Sequence, residues 1–428
     1  MKFEMFHLMP YRDLPADFPD RYSSVWVDIP SELFDPVKAH TIYNDSLDEL
    51  EAAAAAGYDG ICVNEHHQNG YGLMPSPNLM AATLARRTRD VAIVVLGNSI
   101  ALYNPPIRVA EEFAMLDCVS GGRLIAGFPV GTAMDDNYAY GANPATLREK
   151  YYEAADLIVK AWTTPEMFSY NGRFTQLRYV NLWPRPLQQP HPPIWIPGGG
   201  SVETWEWCAD KDYVYCNLSY GGYMAGQKNT DGFWRVMQAR EKPLNPYQAG
   251  FLQLVAVADS EQEVADKYGP HAEYFYNKML HIDMRYTDPP GYRTIRTIEA
   301  GFTRSEALKP LFGESKTLKG EETNQKFRAG KAKEITWADL LREGNIVAGT
   351  PSQVTEQLEE VVRTLHVGHL MVLNQFGSVP KALAIPNIEK TAREVLPNLK
   401  HIWDDEGWED HWWPRGLSEP VQPAALKF

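Results

Sequence analysis

The chain has 428 residues, 44% of them hydrophobic and 22% charged, a globular composition whose length admits two ordinary domains or one elaborated α/β barrel. No apolar run approaches the roughly 18 residues that a membrane helix needs. A formal charge of −14 argues against nucleic acid as the main partner, though it leaves room for a local basic pocket.

The N-terminal MKFEMFHLMPY carries Glu4 and His7 and lacks a basic-then-apolar leader pattern, so a cytoplasmic location is expected. The four cysteines, Cys62, Cys118, Cys208 and Cys216, show no CxxC spacing and are expected to be buried thiols. Residues 3–8, FEMFHL, predict a first strand, followed by a Pro-, Asp- and Tyr-rich loop from Met9 to about Pro36. A Glu- and Ala-rich helix over Asn44–Ala56 is closed by Gly57, and GICVN at 60–64 is the second strand, running directly into Glu65-His66-His67. A helix over Ser76–Arg87 leads to the third strand, Val91–Leu96, a β-branched run of the kind buried on both faces, which ends in Gly97-Asn98-Ser99. Asn104 is placed as the cap of the next helix, with Pro105 and Pro106 at its entry and Val109, Phe113 and Leu116 on its apolar face. Gly121 and Gly122 stop it, and Arg123–Phe128 is the fourth strand, ending in Pro-Val-Gly-Thr at 129–132.

A helix over Pro144–Trp162 follows, and the stretch from Thr163 to Pro193 reads as a hairpin excursion with a turn at Asn171-Gly172. The fifth strand, Pro193–Pro197, runs into Gly198-Gly199-Gly200-Ser201 and a helix over Val202–Asp210. Strands at Asp212–Asn217, Gly250–Ala258 and His369–Gln375 complete a set of eight, with helices near 222–241, 260–280 and 351–365, the last opened by Thr350-Pro351. Eight strands alternating with helices predict an α/β fold of the (β/α)8 TIM-barrel type with insertions and a C-terminal extension. The barrel is assigned to 1–396, with an insertion at about 280–346 that shows no strand and could be a lid, an oligomer contact or disordered. A tail over 397–428 carries Trp403, Trp408, Trp412 and Trp413 and is expected to pack on the barrel or on a partner subunit.

Polar groups gather at three strand ends. Gly198–Ser201 would leave backbone N–H groups open to an oxyanion at a helix N-terminus, for which phosphate is the natural occupant. His66 and His67 are adjacent in an extended segment and so point opposite ways, and no HxH or ExxH spacing supports them as ligands, so no metal is expected. One imidazole facing the pocket could move a proton, while His7, alone at the first strand end, reads as structural. The absence of GxGxxG, GxxxxGK[ST] and GxSxG motifs leaves a Rossmann nicotinamide site, a P-loop and a serine nucleophile without support. A phosphorylated organic cofactor under an apolar cavity is the class that remains.

GYDGICVNEHH at 57–67, the run 96–128, PRPLQQPHPPIWIPGGGSVET at 184–204 and VAGTPSQVTEQLEEVV at 347–362 together resemble the bacterial-luciferase-like flavin monooxygenase family. That resemblance implies a barrel binding reduced FMN (FMNH2), delivered by a separate NAD(P)H:flavin reductase, that forms a flavin C4a-hydroperoxide with O2 and oxygenates a small apolar organic substrate. It also implies His66 as the catalytic residue, Asn98 and Ser99 at a bulged strand end under the flavin ring with a non-proline cis peptide, and Gly199, Gly200, Ser201 and Thr204 on the phosphate loop. At Pro129 and Val130 the chain departs from luciferase itself, which has a reactive cysteine and a phosphate-binding arginine there, and Arg148 is the substitute cation put forward. The family makes a homodimer the default; an F420-dependent oxidoreductase and a non-catalytic flavin-binding barrel are the alternatives.

Overall fold

In the computed structural model, which describes residues 1–131, 134–287, 290–300 and 334–418, the short apolar runs close into a ring. The strands β1 (Lys2–Phe6), β2 (Gly60–Val63), β3 (Ala92–Val95) and β4 (Leu124–Gly127) pair in parallel and in chain order. A two-stranded antiparallel excursion, β5 (Phe168–Asn171) with β6 (Gln176–Val180), precedes β7 (Ile194–Gly198), β8 (Val214–Asn217) and the long β9 (Ala249–Val257). The last barrel strand, β11 (His369–Leu373), pairs with both β9 and β1, and the β8–β9 pairing closes an eight-stranded parallel barrel. Each of the four-residue strands β2, β3, β4 and β8 is buried throughout, as a strand covered on both faces must be.

The expected eightfold barrel is therefore present, with a ninth strand that short-run reading missed. β10 (Ile346–Gly349) lies beside the second half of β9, Ile346 opposite Leu254 and Gly349 opposite Val257, beyond the point where β8 stops pairing. Four residues, IVAG, give too short an apolar run to stand out from the loop before the Thr350 capping box.

Three helix starts differ from expectation. The first long helix begins at Pro36, eight residues before Asn44, because the Asp35 side chain accepts from the N–H groups of Val37 (2.8 Å) and Lys38 (3.3 Å) while Pro36 occupies the first turn. Asn104 is not a cap: its bond to Pro105 is cis and the helix begins at Ile107. A short helix, Met134–Ala139, stands where only a loop was read. Cys62, Cys208 and Cys216 are buried, but Cys118 is exposed on its helix, against expectation. The residues 301–333 of the expected insertion, and Thr132 of the expected Pro-Val-Gly-Thr loop, lie outside the described residues. No helix among the described residues is long and apolar enough to cross a membrane.

The amino end of the barrel is closed by the tail. Trp403 donates to the Val367 carbonyl (2.9 Å), Trp412 to the Asp212 carbonyl (2.8 Å), and Trp413 stacks on His369 with ring centroids 5.9 Å apart. Beneath this lid Glu4 points into the barrel, one carboxyl oxygen 3.0 Å from His369 Nδ1, with Asp410 3.7 Å from Nε2. Burial pushes the Glu4 carboxyl well above the usual range and His369 down to about 4, so both favour their neutral forms. The signs are opposite. A raised carboxyl contributes stability below its unfolded value that is lost as pH rises toward its folded value; a depressed histidine contributes stability above 6.5 that is lost as pH falls toward 4. Glu4→Gln removes only the first term while keeping an oxygen for His369, so its apparent Tm is expected to exceed that of the parent at pH 8 and to converge on it near pH 5. Thermal unfolding at the two pH values checks this, and a variant less stable at pH 8 contradicts it.

Candidate functional site

The loops after the carboxyl ends of β1, β2, β3, β4, β7 and β8 enclose a cavity of about 230 Å3, the position at which barrels of this class place their sites. His66, Ser99, Gly199, Gly200, Ser201 and Thr204, expected at separate strand ends, all line it. Asn98 does not: it is fully buried behind the wall, donating to Glu65 (2.8 Å) and accepting from Asn78 (3.2 Å).

The bend after β3 is built around the Glu65 carboxylate. One oxygen accepts from the Ser99 N–H (2.6 Å) and from Asn98; the other accepts from Tyr103 (3.2 Å) and lies 2.8 Å from His67 Nε2. Burial and the Glu65 charge raise the Tyr103 phenol, which keeps it a donor. The cis peptide falls at Leu96–Gly97, two bonds before the Asn98–Ser99 bond at the expected position. Gly97 and Gly127 permit the bend, since a Cβ on either would lie 2.2 Å from a neighbouring atom, Pro129 Cδ and the Val95 carbonyl oxygen respectively.

The two adjacent histidines do diverge. His67 is buried against Glu65 and packs on Tyr140 (ring centroids 4.6 Å apart). His66 lines the cavity, its ring edge-on to Tyr71 at 4.7 Å and its Nδ1 3.2 Å from Asp135 Oδ2. His7 is structural: its Nδ1 accepts from the Met9 N–H and its Nε2 donates to Glu49 (2.7 Å).

At the other strand ends the glycine loop meets the helix Val202–Lys211. Ser201 is its N-cap residue but makes no side-chain cap, so the first-turn N–H groups are not taken by the hydroxyl, which donates to Glu203 instead (3.1 Å). A Cβ at Gly198 or Gly199 would meet only open space. Arg148 donates to Thr204 Oγ1 (3.2 Å) and to the Tyr292 hydroxyl (3.3 Å), while its Nε is buried without a partner among the described residues. Burial opposes its charge, yet Tyr292, Tyr152 and Glu203 hold the guanidinium above its ordinary range. A guanidinium on the cavity wall, a helix N-terminus and an uncluttered glycine turn suit a phosphate monoester. Glu203 opposes it. Burial raises that carboxyl, but hydrogen bonds from Thr294, Thr297 and Ser201 outweigh the effect and hold it below the usual range.

Sequence reasoning missed Asp135 and Asp136, which the helix Met134–Ala139 brings to the His66 side, and Tyr292 and Arg293, which reach the cavity from the expected insertion. The Met-Asp-Asp-Asn run after β4 puts two acidic residues in a carboxyl-end loop, but nothing in it tells that they turn toward His66. His66, Asp135 and Asp136 also carry the one set of metal-type donors among the described residues, with ligand atoms within 4.8 Å of one another. The Asp135 oxygen nearest the imidazole is already taken by an amide N–H of Asn69 (2.6 Å), an arrangement that reads as a hydrogen-bonded network.

A family model described as luciferase-like monooxygenase matches residues 29–367. The oxygenase component of the flavin-dependent trigonelline monooxygenase of Acinetobacter baylyi is 31% identical over 55% of this chain and 65% of its own length. The matches span 48% and 65% of the first two curated relatives, so the chain aligns with about half to two thirds of each. Among solved structures, the monooxygenase RslO1 of Streptomyces bottropensis superposes with a TM-score of 0.65 at 19% identity, covering 93% of this chain and 99% of that one. The oxygenating constituent of 3,6-diketocamphane monooxygenase of Pseudomonas putida, in complex with FMN, gives 0.64 at 15% identity over 93% and 98%. At these identities the structural matches speak to the fold.

Proposed function

Because the chain belongs to the luciferase-like monooxygenase family, we propose that it is the oxygenase component of a two-component flavin monooxygenase, using reduced FMN and O2 on a small apolar organic molecule. The observation that carries this reading is that an anion cradle and a cavity-facing imidazole share one enclosed pocket. The trigonelline relative is named as an oxygenase component and the diketocamphane structure holds FMN; both support a flavin supplied by a separate NAD(P)H:flavin reductase, in keeping with a sequence that has no nicotinamide fingerprint.

The phosphate would be held by the N–H groups at the start of the helix Val202–Lys211, by Thr204 and by Arg148; Gly199, Gly200 and Ser201 would give it room. Ser99 and the bend that Glu65 holds would contact the ring. Bound there, reduced flavin supplies the electrons with which O2 is activated. The chain's own contribution is to bind, orient and exclude water: Phe6, Trp26, Leu218, Leu280 and Ile282 line the cavity with apolar surface that suits an apolar substrate and keeps the reacting atoms dry. His66 would take or return a proton at the oxygen being transferred. Exposed Leu79, Met115 and Val119 on two neighbouring helices are consistent with a homodimer.

Calorimetry with FMN and with F420, followed by turnover with FMNH2 under 18O2, tests the reading. The expected result is selective binding of FMN and one labelled oxygen atom in the product. Binding of F420 alone, with substrate reduced or oxidised and no label gained, would assign the chain to hydride chemistry.

A further inference from the structure

The residue that prepares His66 comes from a different loop. Asn69 fixes the logic. Its Oδ1 accepts from the backbone N–H groups of Tyr71 (3.0 Å) and Gly72 (3.1 Å), so its amide nitrogen must face the other way, where it donates to the His67 carbonyl (2.9 Å) and to Asp135 Oδ2 (2.6 Å). Asp135 Oδ2 is thereby an acceptor. The imidazole nitrogen 3.2 Å from that same oxygen, His66 Nδ1, must then be the one that carries hydrogen. Asp135 is 3% exposed, and its second oxygen has no hydrogen-bond partner among the described residues. The ring is held on its other side by Tyr71, and the His66 N–H is tied to the Met74 carbonyl (3.1 Å). No bond to Nε2 occurs among the described residues, and His66 lines the cavity.

We propose that Asp135 is a positioning residue that locks His66 as its Nδ1–H tautomer and so presents the Nε2 lone pair to the cavity as the proton acceptor. Free histidine prefers the opposite tautomer, in which Nε2 carries the hydrogen and has no lone pair to offer. A carboxylate behind Nδ1 reverses that preference and steadies the imidazolium formed when Nε2 takes a proton, the division of labour that a His–Asp pair performs in hydrolases. The proposal rests on the proton role given to His66 above, but the tautomer can be read without turnover.

Protein labelled with 15N histidine, in the cofactor-free state, is compared with Asp135→Asn and Asp135→Ala by long-range 1H–15N NMR, with His66→Gln supplying the assignment. The parent is expected to show His66 with a protonated Nδ1 and an unprotonated Nε2. Asp135→Asn can leave its carbonyl oxygen in the Oδ2 position and should retain that tautomer; Asp135→Ala should lose it. Product formation is expected to fall roughly 10–100-fold in Asp135→Ala and less in Asp135→Asn, with FMN affinity changed less than about 3-fold in either. Protonated Nε2 in the parent overturns the proposal even if Asp135→Ala fails to fold, and so does an unchanged tautomer in a folded Asp135→Ala. If the tautomer moves as expected while His66→Gln keeps full product yield, the positioning stands and the proton role of His66 is what falls.

Discussion

Replacing His66 with alanine is expected to lower product formation per FMNH2 by about 10²–10⁴-fold, the usual span for a positioned acid or base, and to release the missing oxygen as hydrogen peroxide. FMN affinity should change little, because among the described residues the hydrogen bonds of His66 go to Asp135 and, from its backbone N–H, to the Met74 carbonyl, not to the glycine turn or to Arg148. The two readouts therefore separate. Anaerobic flavin titration reports binding, and product against peroxide under O2 reports what happens to the oxygen. A structural role predicts a different outcome, with binding, folding and yield declining together. Because Asp135 keeps its bond from Asn69 when the imidazole is gone, the loss of one side chain from a cavity wall should leave the fold intact. Unchanged product yield in a folded His66→Ala would remove the proton role assigned here.

The barrel was legible because its strands are short, apolar and bounded by glycine or polar turns, and because a parallel strand buried on both faces has no alternation to blur it. That one of the two histidines faces inward was legible for a geometric reason, since side chains alternate in an extended segment; that it is His66 and not His67 came from the family resemblance. Asp135 was not legible. Its role depends on a short helix whose sequence, MDDNYA, has no apolar periodicity, and on an approach from β4 to the loop after β2 that no local pattern encodes. Asn98 is the complementary case. It lies at a strand end that does reach the cavity, but Glu65 turns it inward, and a carboxylate that collects four hydrogen bonds from its own loop and the loop after β3 cannot be foreseen from either alone. β10 escaped because pairing with the free half of β9, not its own four residues, makes it a strand.

Arg148→Ala is expected to weaken FMN binding by roughly 10–100-fold while leaving riboflavin binding nearly unchanged, since a charge-assisted hydrogen bond contributes about 1.5–3 kcal/mol and only FMN carries the phosphate. Calorimetry on both ligands isolates the phosphate contribution as a difference of differences. The helix N-terminus and Thr204 remain in the variant, so binding should weaken rather than vanish. Arg148→Lys keeps the charge but not the planar fork and should fall between the two. The adjacent Glu203 makes the test sharper. Its carboxylate stands in the first turn of the same helix and takes the Ser201 hydroxyl, so it both opposes an anion and occupies a donor that the anion could use. Glu203→Gln should therefore strengthen FMN relative to riboflavin, and should do so less once Arg148 is gone if the two side chains act on one phosphate. Equal losses for FMN and riboflavin in Arg148→Ala would mean that the guanidinium only braces Tyr292, and the cation that meets the phosphate would have to be sought elsewhere on the cavity wall, where Arg293 is the next residue to replace.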